Sequence, residues 1–275
     1  MDTIFQTVLI LSSLGFVLTA VLLCLKPITA KKFPAGWQYF VWLAVLFLML
    51  IPVYRLIPAE KAQEFAPVPK NETAQSKPQS VEPLQTETLS LPDIPPTQTT
   101  QTENTTHITR LLHFLPYLWL LGVFAFLLFF CATYFICLFK KRKNAVRVST
   151  NPLFEYAKHQ LKIKRNISLR MSPDVRSPML VGVLFPVVYV PCRNISDESL
   201  RMIFLHELTH YKRKDLFFKW LSLFANAIHW FNPLSYLLCA NISEACEIAC
   251  DMAVTKKMSE AEQKVYMKTI LTLAE

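Results

Sequence analysis

The chain has 275 residues, 52% of them hydrophobic, with 18 Pro, only 4 Gly and a formal net charge of +9. That length holds one sizeable domain plus extra segments, and the long uncharged runs described below exclude an ordinary soluble protein. The charge is unevenly spread: residues 1–139 hold 8 basic and 8 acidic side chains, residues 140–275 hold 21 and 12. No recognisable nucleic-acid motif accompanies the basic half, and apposition to an anionic inner leaflet is the simpler account.

Three runs carry no charge: Ile4 to Leu25, Phe33 to Tyr54 and Leu111 to Phe139. Each is long enough to cross a hydrocarbon layer of ~30 Å, which takes about 20 helical residues. The sequence predicts a mainly α membrane protein, with three transmembrane helices and a cytoplasmic α+β domain carrying a small edge-exposed sheet. Residues 1–57 form a helical hairpin broken at Pro27 and Pro34. Residues 58–109 form a disordered outside loop, dominated by Pro, Thr, Gln, Ser and Glu with no apolar period. Residues 110–139 form the third span and residues 140–275 the cytoplasmic domain. Basic residues set the orientation. Lys26, Lys31 and Lys32 follow the first span and Lys140 to Lys143 the third, so both segments are inside and the N-terminus outside.

Beyond the third span, Leu153, Tyr156, Ala157 and Leu161 predict a helix. Two β-prone segments follow, Ile167 to Met171 and Met179 to Val190. Pro178, Pro186 and Pro191 place the second of these at a sheet edge, because proline cannot donate to a ladder. Ser196, Asp197 and Glu198 open the next helix. Leu216 to Cys239 is apolar enough to tempt a fourth span, but Lys219, Asn226, His229 and Asn232-Pro233 interrupt it. Two helices are expected instead, over 215–230 and 233–257, with Pro233 in the first turn of the second. Ser259 and Glu262 form a capping box for a last helix. It runs to Glu275 without a stop signal, so more chain is expected beyond it. The seven cysteines avoid the outside loop and read as small buried apolar residues in a reducing compartment, with Cys246 and Cys250 flanking the site described next.

The chemistry concentrates in His206-Glu207-Leu208-Thr209-His210. Helical positions four apart share a face, so the two imidazoles can bind one metal ion while Glu207 serves as general base toward a water. Zinc suits such a set, taking imidazole nitrogens and a carboxylate with a fourth position open. Downstream, Glu247 and Asp251 also lie four apart. That spacing makes Glu247 the third metal ligand and Asp251 its helper, orienting an imidazole. Glu244 is the rival ligand. Asp215 is either a cap of the next helix or a second such helper. Tyr211, His229 and Tyr266 are the candidates for stabilising an oxyanion.

The run from His206 to Asp215 resembles the beta-lactam-sensing antirepressor metallopeptidases of the BlaR/MecR type. So do Ser177-Pro178, Gly182, Pro186 and Pro191 upstream, and Asn232-Pro233 and the Glu247-Ile248-Ala249-Cys250-Asp251 segment downstream. The Glu247/Asp251 pair is also similar to that of gluzincin peptidases. The resemblance covers nearly the whole chain. It implies a zincin-like membrane zinc endopeptidase that cleaves its own chain or a cytoplasmic repressor and so derepresses resistance genes. It also implies a fourth span and an outside sensor domain beyond residue 275. Membrane lipid and a protein substrate are the expected partners, a homodimer is allowed, and direct nucleic-acid binding is not expected. Two rivals share the motif: a constitutive quality-control peptidase of the membrane, and a signal transducer whose zinc is structural.

Overall fold

The structure, a computed structural model, describes residues 1–33, 35–52, 102–256 and 258–274. It divides into a large unit, Met1–Pro52 with Pro116–Glu275, and a small one, Val53–Leu115. Most of the small unit, including the expected loop up to residue 101, lies outside the described residues. The last residues of that expected loop, 102–109, are helical rather than irregular.

Among the described residues three apolar helices come first: α1 (Asp2–Lys32), α2 (Ala35–Leu50) and α3 (Thr102–Lys143). α1 passes through Pro27 instead of stopping there, and α3 passes through Pro116. A proline removes one backbone donor and bends a helix without necessarily ending it. Among the described residues two helices are long and apolar enough to cross a membrane, Asp2–Thr29 and His113–Lys143. The helix at the second expected span is the shorter apolar stretch Gly36–Leu50. α2 has 16 residues, about 24 Å at 1.5 Å per residue, less than the hydrocarbon thickness. One of its faces is buried in protein, with Tyr39, Trp42, Leu43, Leu46 and Met49 all enclosed.

The remainder is built around a small sheet and a set of helices. β1 (Val146–Val148) precedes α4 (Pro152–Gln160), which Asn151 caps by accepting from the Phe154 amide. β2 (Ser168–Ser172), β3 (Met179–Val181) and β4 (Val187–Pro191) complete a sheet of order β1-β2-β4-β3. The expected single edge strand from Met179 to Val190 is therefore a hairpin. Gly182, at φ +85°, turns the chain so tightly that a Cβ there would lie 2.4 Å from the Phe185 carbonyl oxygen. Pro178 and Pro186 precede the strands and Pro191 is the last residue of β4, so β4 pairs on both sides, parallel to β2 and antiparallel to β3. Only β3 keeps the edge position foreseen for the whole segment.

Four helices follow: α5 (Asp197–Arg213), α6 (Asp215–Ile228), α7 (Pro233–Thr255) and α8 (Glu260–Ala274). Three of them start on a side-chain cap, while α6 opens behind Lys214 with no side-chain cap bond. Ser196 accepts from the Ser199 amide, Asn232 accepts from the Leu234 amide, and Ser259 and Glu262 exchange backbone-to-side-chain bonds of 3.0 and 3.4 Å. α7 lies between two cores. Cys250 and Val254 pack with Phe154, Leu169, Val188, Phe204 and Leu208. Ala245, Cys246 and Ala249 pack with Trp42, Leu46 and Met49 of α2. The polar face left between these cores holds Glu247 and Asp251.

The α6–α7 turn packs closely on α3, where Gly122 lies against Trp230 and a Cβ would sit 2.4 Å from the indole. Gly122→Ala is expected to lower stability by about 1–3 kcal/mol through overpacking, read as an earlier thermal unfolding midpoint of the purified chain.

Candidate metal centre

α5 presents His206 and His210 on one face, with ring centroids 4.6 Å apart. Their Nε2 atoms are 3.0 Å apart, and Glu247 Oε2 on α7 lies 3.6 Å from the first and 3.2 Å from the second. An ion bonded to imidazole nitrogen and carboxylate oxygen at ~2.0–2.2 Å in tetrahedral geometry needs ligand atoms about 3.3 Å apart. The triangle has that size. The far sides of the rings are engaged. Tyr266 OH lies 2.7 Å from His206 Nδ1 and donates to Asp251 Oδ1 at 2.6 Å, while Asp251 Oδ1 is 3.3 Å from the same Nδ1. Asp215 Oδ2 lies 2.8 Å from His210 Nδ1. Acceptors at both Nδ1 positions hold their protons there and turn the Nε2 lone pairs toward the common point.

Asp215 reaches His210 because of a corner. Lys214 adopts the left-handed conformation, φ 62°, at the end of α5, and its amide bonds back to His210 and Tyr211 carbonyls. α6 thus starts by folding Asp215 back onto the preceding turn. Asp215 is 1% exposed and also accepts from Arg213 Nε at 3.1 Å and from Tyr39 OH at 3.5 Å. Asp215 is the first residue of α6 and not its cap, a position held by Lys214 without a side-chain bond, and its carboxylate lies against the imidazole instead.

Glu207 is buried beside the histidines, and the Leu180 amide of the edge strand donates to its carboxylate. Burial raises its pKa, against the lowering effect of His206 and His210. Glu247 is held well below the usual carboxylate range: burial opposes this, but bonds from His206, His210 and Lys219 prevail. Lys219 Nζ donates to Glu247 Oε1 at 2.9 Å. His206, Glu207, His210, Lys219 and Glu247 line one cavity of 260 Å³, closed on one side by Met179 and Leu180. An adjoining cleft of 420 Å³ shares Leu180, His210 and Leu216, and its walls carry Lys162, Lys164, Arg165, Lys212 and Lys214.

The other candidates lie elsewhere or act otherwise. Glu244 accepts from Lys26 Nζ at 2.7 Å and is no part of the triangle. His229 is fully buried, with its Nε2 3.2 Å from the Met49 carbonyl oxygen, and Tyr211 packs against the first core. Tyr266 braces His206 from behind. Sequence reasoning missed Lys219, Arg213 and Tyr39. Lys219 was visible as a charge in an apolar run, but the contacts of Arg213 and Tyr39 arise only on folding. Cys250 is fully buried, with Sγ 3.9 Å from His206 Nδ1, and its sulfur lies within 4.8 Å of ligand atoms of both histidines.

Burial alone would lower the pKa of both imidazoles. The bonds of His206 with Asp251, Cys250 and Glu247 outweigh it, and those of His210 with Asp215, Cys250 and Glu247 push that residue up to about 11. A shared ion needs both Nε2 lone pairs, which stand 3.0 Å apart, free of protons. Binding competes with protonation there, so affinity falls as pH falls. Uptake is expected to release about one proton per ion at neutral pH, measured by calorimetry in buffers of different ionisation enthalpy.

The sequence model of the family described as BlaR1 peptidase M56 matches residues 6–275. The regulatory protein BlaR1 of Bacillus licheniformis is 31% identical over 160 residues, covering 56% of this chain and 26% of that protein. The methicillin resistance mecR1 protein of Staphylococcus aureus is 31% identical over 163 residues, covering 55% and 27%. The chain spans about a quarter of the length of these curated relatives.

Proposed function

The chain belongs to the BlaR1 peptidase M56 family, and from that premise we propose that it is a zinc endopeptidase of the cell membrane. α1, α2 and α3 are read as three spans, α2 the shortest, with the N-terminus outside and the peptidase inside. In signalling it cuts its own chain or a cytoplasmic repressor, and so derepresses resistance genes. One observation carries the catalytic reading: two Nε2 atoms and a carboxylate oxygen at tetrahedral spacing, with a buried carboxylate beside them.

In this reading His206, His210 and Glu247 hold the ion, Asp251 with Tyr266 braces the first imidazole, and Asp215 braces the second. Zinc supplies Lewis acidity and makes water acidic near neutral pH. Glu207 takes the proton of the attacking water and passes it to the leaving amine. Burial favours the protonated form of Glu207, which suits a group that must carry a proton between two steps. The Leu180 amide fixes the carboxylate, and Lys219 fixes Glu247 from the cavity side.

The test uses the full chain in phospholipid vesicles with a fluorogenic peptide library. Cleavage abolished by a chelator and restored by zinc is expected. A chain that holds one zinc and cleaves nothing overturns the catalytic reading in favour of a structural ion. A second arrangement, with Cys250 as a ligand, is favoured by its closeness to both histidines. Its sulfur nevertheless lies beside Nδ1 of His206, the nitrogen already engaged by Tyr266 and Asp251. Cys250→Ser is therefore expected to keep its zinc, measured by elemental analysis.

A further inference from the structure

We infer that α6 and α7 form a re-entrant hairpin that enters the acyl layer beside α1 and α2 and returns to the same face. The inference rests on the reading of α1 and α3 as membrane spans. From Trp220 to Ser243 the hairpin has no Asp, Glu, Lys or Arg. Its tip is tied to the middle of α1: Asn232 Nδ2 donates to the Ser12 carbonyl at 3.1 Å and to the Ser12 hydroxyl at 3.0 Å. Its base is tied to the end of α1, where Lys26 Nζ donates to Asn241 and Glu244 at 2.8 and 2.7 Å.

The two tie points fix a depth. Ser12 and Lys26 are fourteen residues apart on α1, and Asn232 and Glu244 are twelve apart on α7. At 1.5 Å per residue these are about 21 and 18 Å, the same travel along two antiparallel helices. Ser12 lies well inside the uncharged run Ile4 to Leu25. If α1 crosses a layer of ~30 Å, the tip of the hairpin therefore stands some two-thirds of the way through it.

The turn is built for that place. Irregular backbone at membrane depth must find every partner within protein. Trp119 Nε1 donates to the Ile228 carbonyl at 2.8 Å, Trp230 Nε1 to the Trp119 carbonyl at 3.3 Å, and Tyr236 OH to the Trp230 carbonyl at 2.9 Å. Outward, the hairpin offers Phe224 at 48% and Leu237 at 46% exposure, continuous in character with Val17 of α1 at 57%. Lipid acyl chains are the partner these faces fit. Glu247 follows Glu244 by three residues, so the metal centre lies at the membrane face and the scissile bond must be brought there.

The experiment places photoreactive p-benzoylphenylalanine, by nonsense suppression in the full chain, at Phe224, Leu237, Val17 or Tyr156. The chain is reconstituted in phosphatidylcholine–phosphatidylglycerol vesicles, and acyl-chain adducts are identified by mass spectrometry after illumination. Phe224, Leu237 and Val17 are expected to form adducts, and Tyr156, exposed on α4, is expected to form none. Adducts at Val17 without adducts at Phe224 and Leu237 overturn the hairpin and leave the spans standing. No adduct at Val17 overturns the reading of α1 as a span, and the hairpin with it.

Discussion

Glu207→Gln is expected to leave the metal in place and to lower kcat by about 10²–10⁴-fold, the range for loss of a positioned general base. The amide has the shape of the carboxylate and still accepts from the Leu180 amide, so the local fold survives. What it loses is the ability to take a proton. Because Glu207 is not in the ligand triangle, metal content and KM should change little, and the loss should appear in kcat. The pH profile supplies a further check. Activity needs Glu207 ionised and falls as pH drops through its pKa, which burial raises. In the Gln variant the residual rate should lose that acid limb. A zinc-loaded Gln variant that cleaves at the native rate removes Glu207 from the proton transfer.

The parts of this centre that were legible in the sequence are those set by helix period alone. His206 with His210, and Glu247 with Asp251, each lie four apart, and a helix puts such pairs on one face whatever else the chain does. That the two helices face each other was inferred from chemistry and not from spacing. Asp215 was read first as a cap because nothing in Lys214 announces a left-handed corner. That conformation costs roughly 1–2 kcal/mol for a residue with a Cβ and is imposed by packing. Tyr266 was a candidate for the wrong task, since its distance behind His206 depends on how α8 docks. Likewise the strand from Met179 to Val190 split at Gly182, where a positive φ turns the chain. α2 carries the composition of a span, yet its described helix stops at Leu50 and one face packs into protein. Composition reports that a surface avoids water; it does not tell lipid from a neighbouring helix.

Substitution at Glu247 should have the largest effect on the metal, and its neighbours on α7 make the comparison selective. Glu247→Ala removes an oxygen from the ligand triangle and also leaves Lys219 without its 2.9 Å partner beside two imidazoles. Affinity should fall by more than the roughly 10–100-fold that loss of a bracing partner costs. Asp251→Asn and Asp215→Asn should fall within that bracing range, because Tyr266 continues to hold His206 in the first case and Arg213 and Tyr39 remain near the corner in the second. Glu244→Ala should leave affinity unchanged. It breaks only a partly exposed ion pair with Lys26, of a kind worth about 0–1 kcal/mol to stability. Competition with a chromophoric zinc chelator ranks these variants in one experiment. If Glu244→Ala or Cys250→Ser loses more affinity than Glu247→Ala, the third ligand is not Glu247, and the centre must be redrawn around the residue whose loss releases the ion.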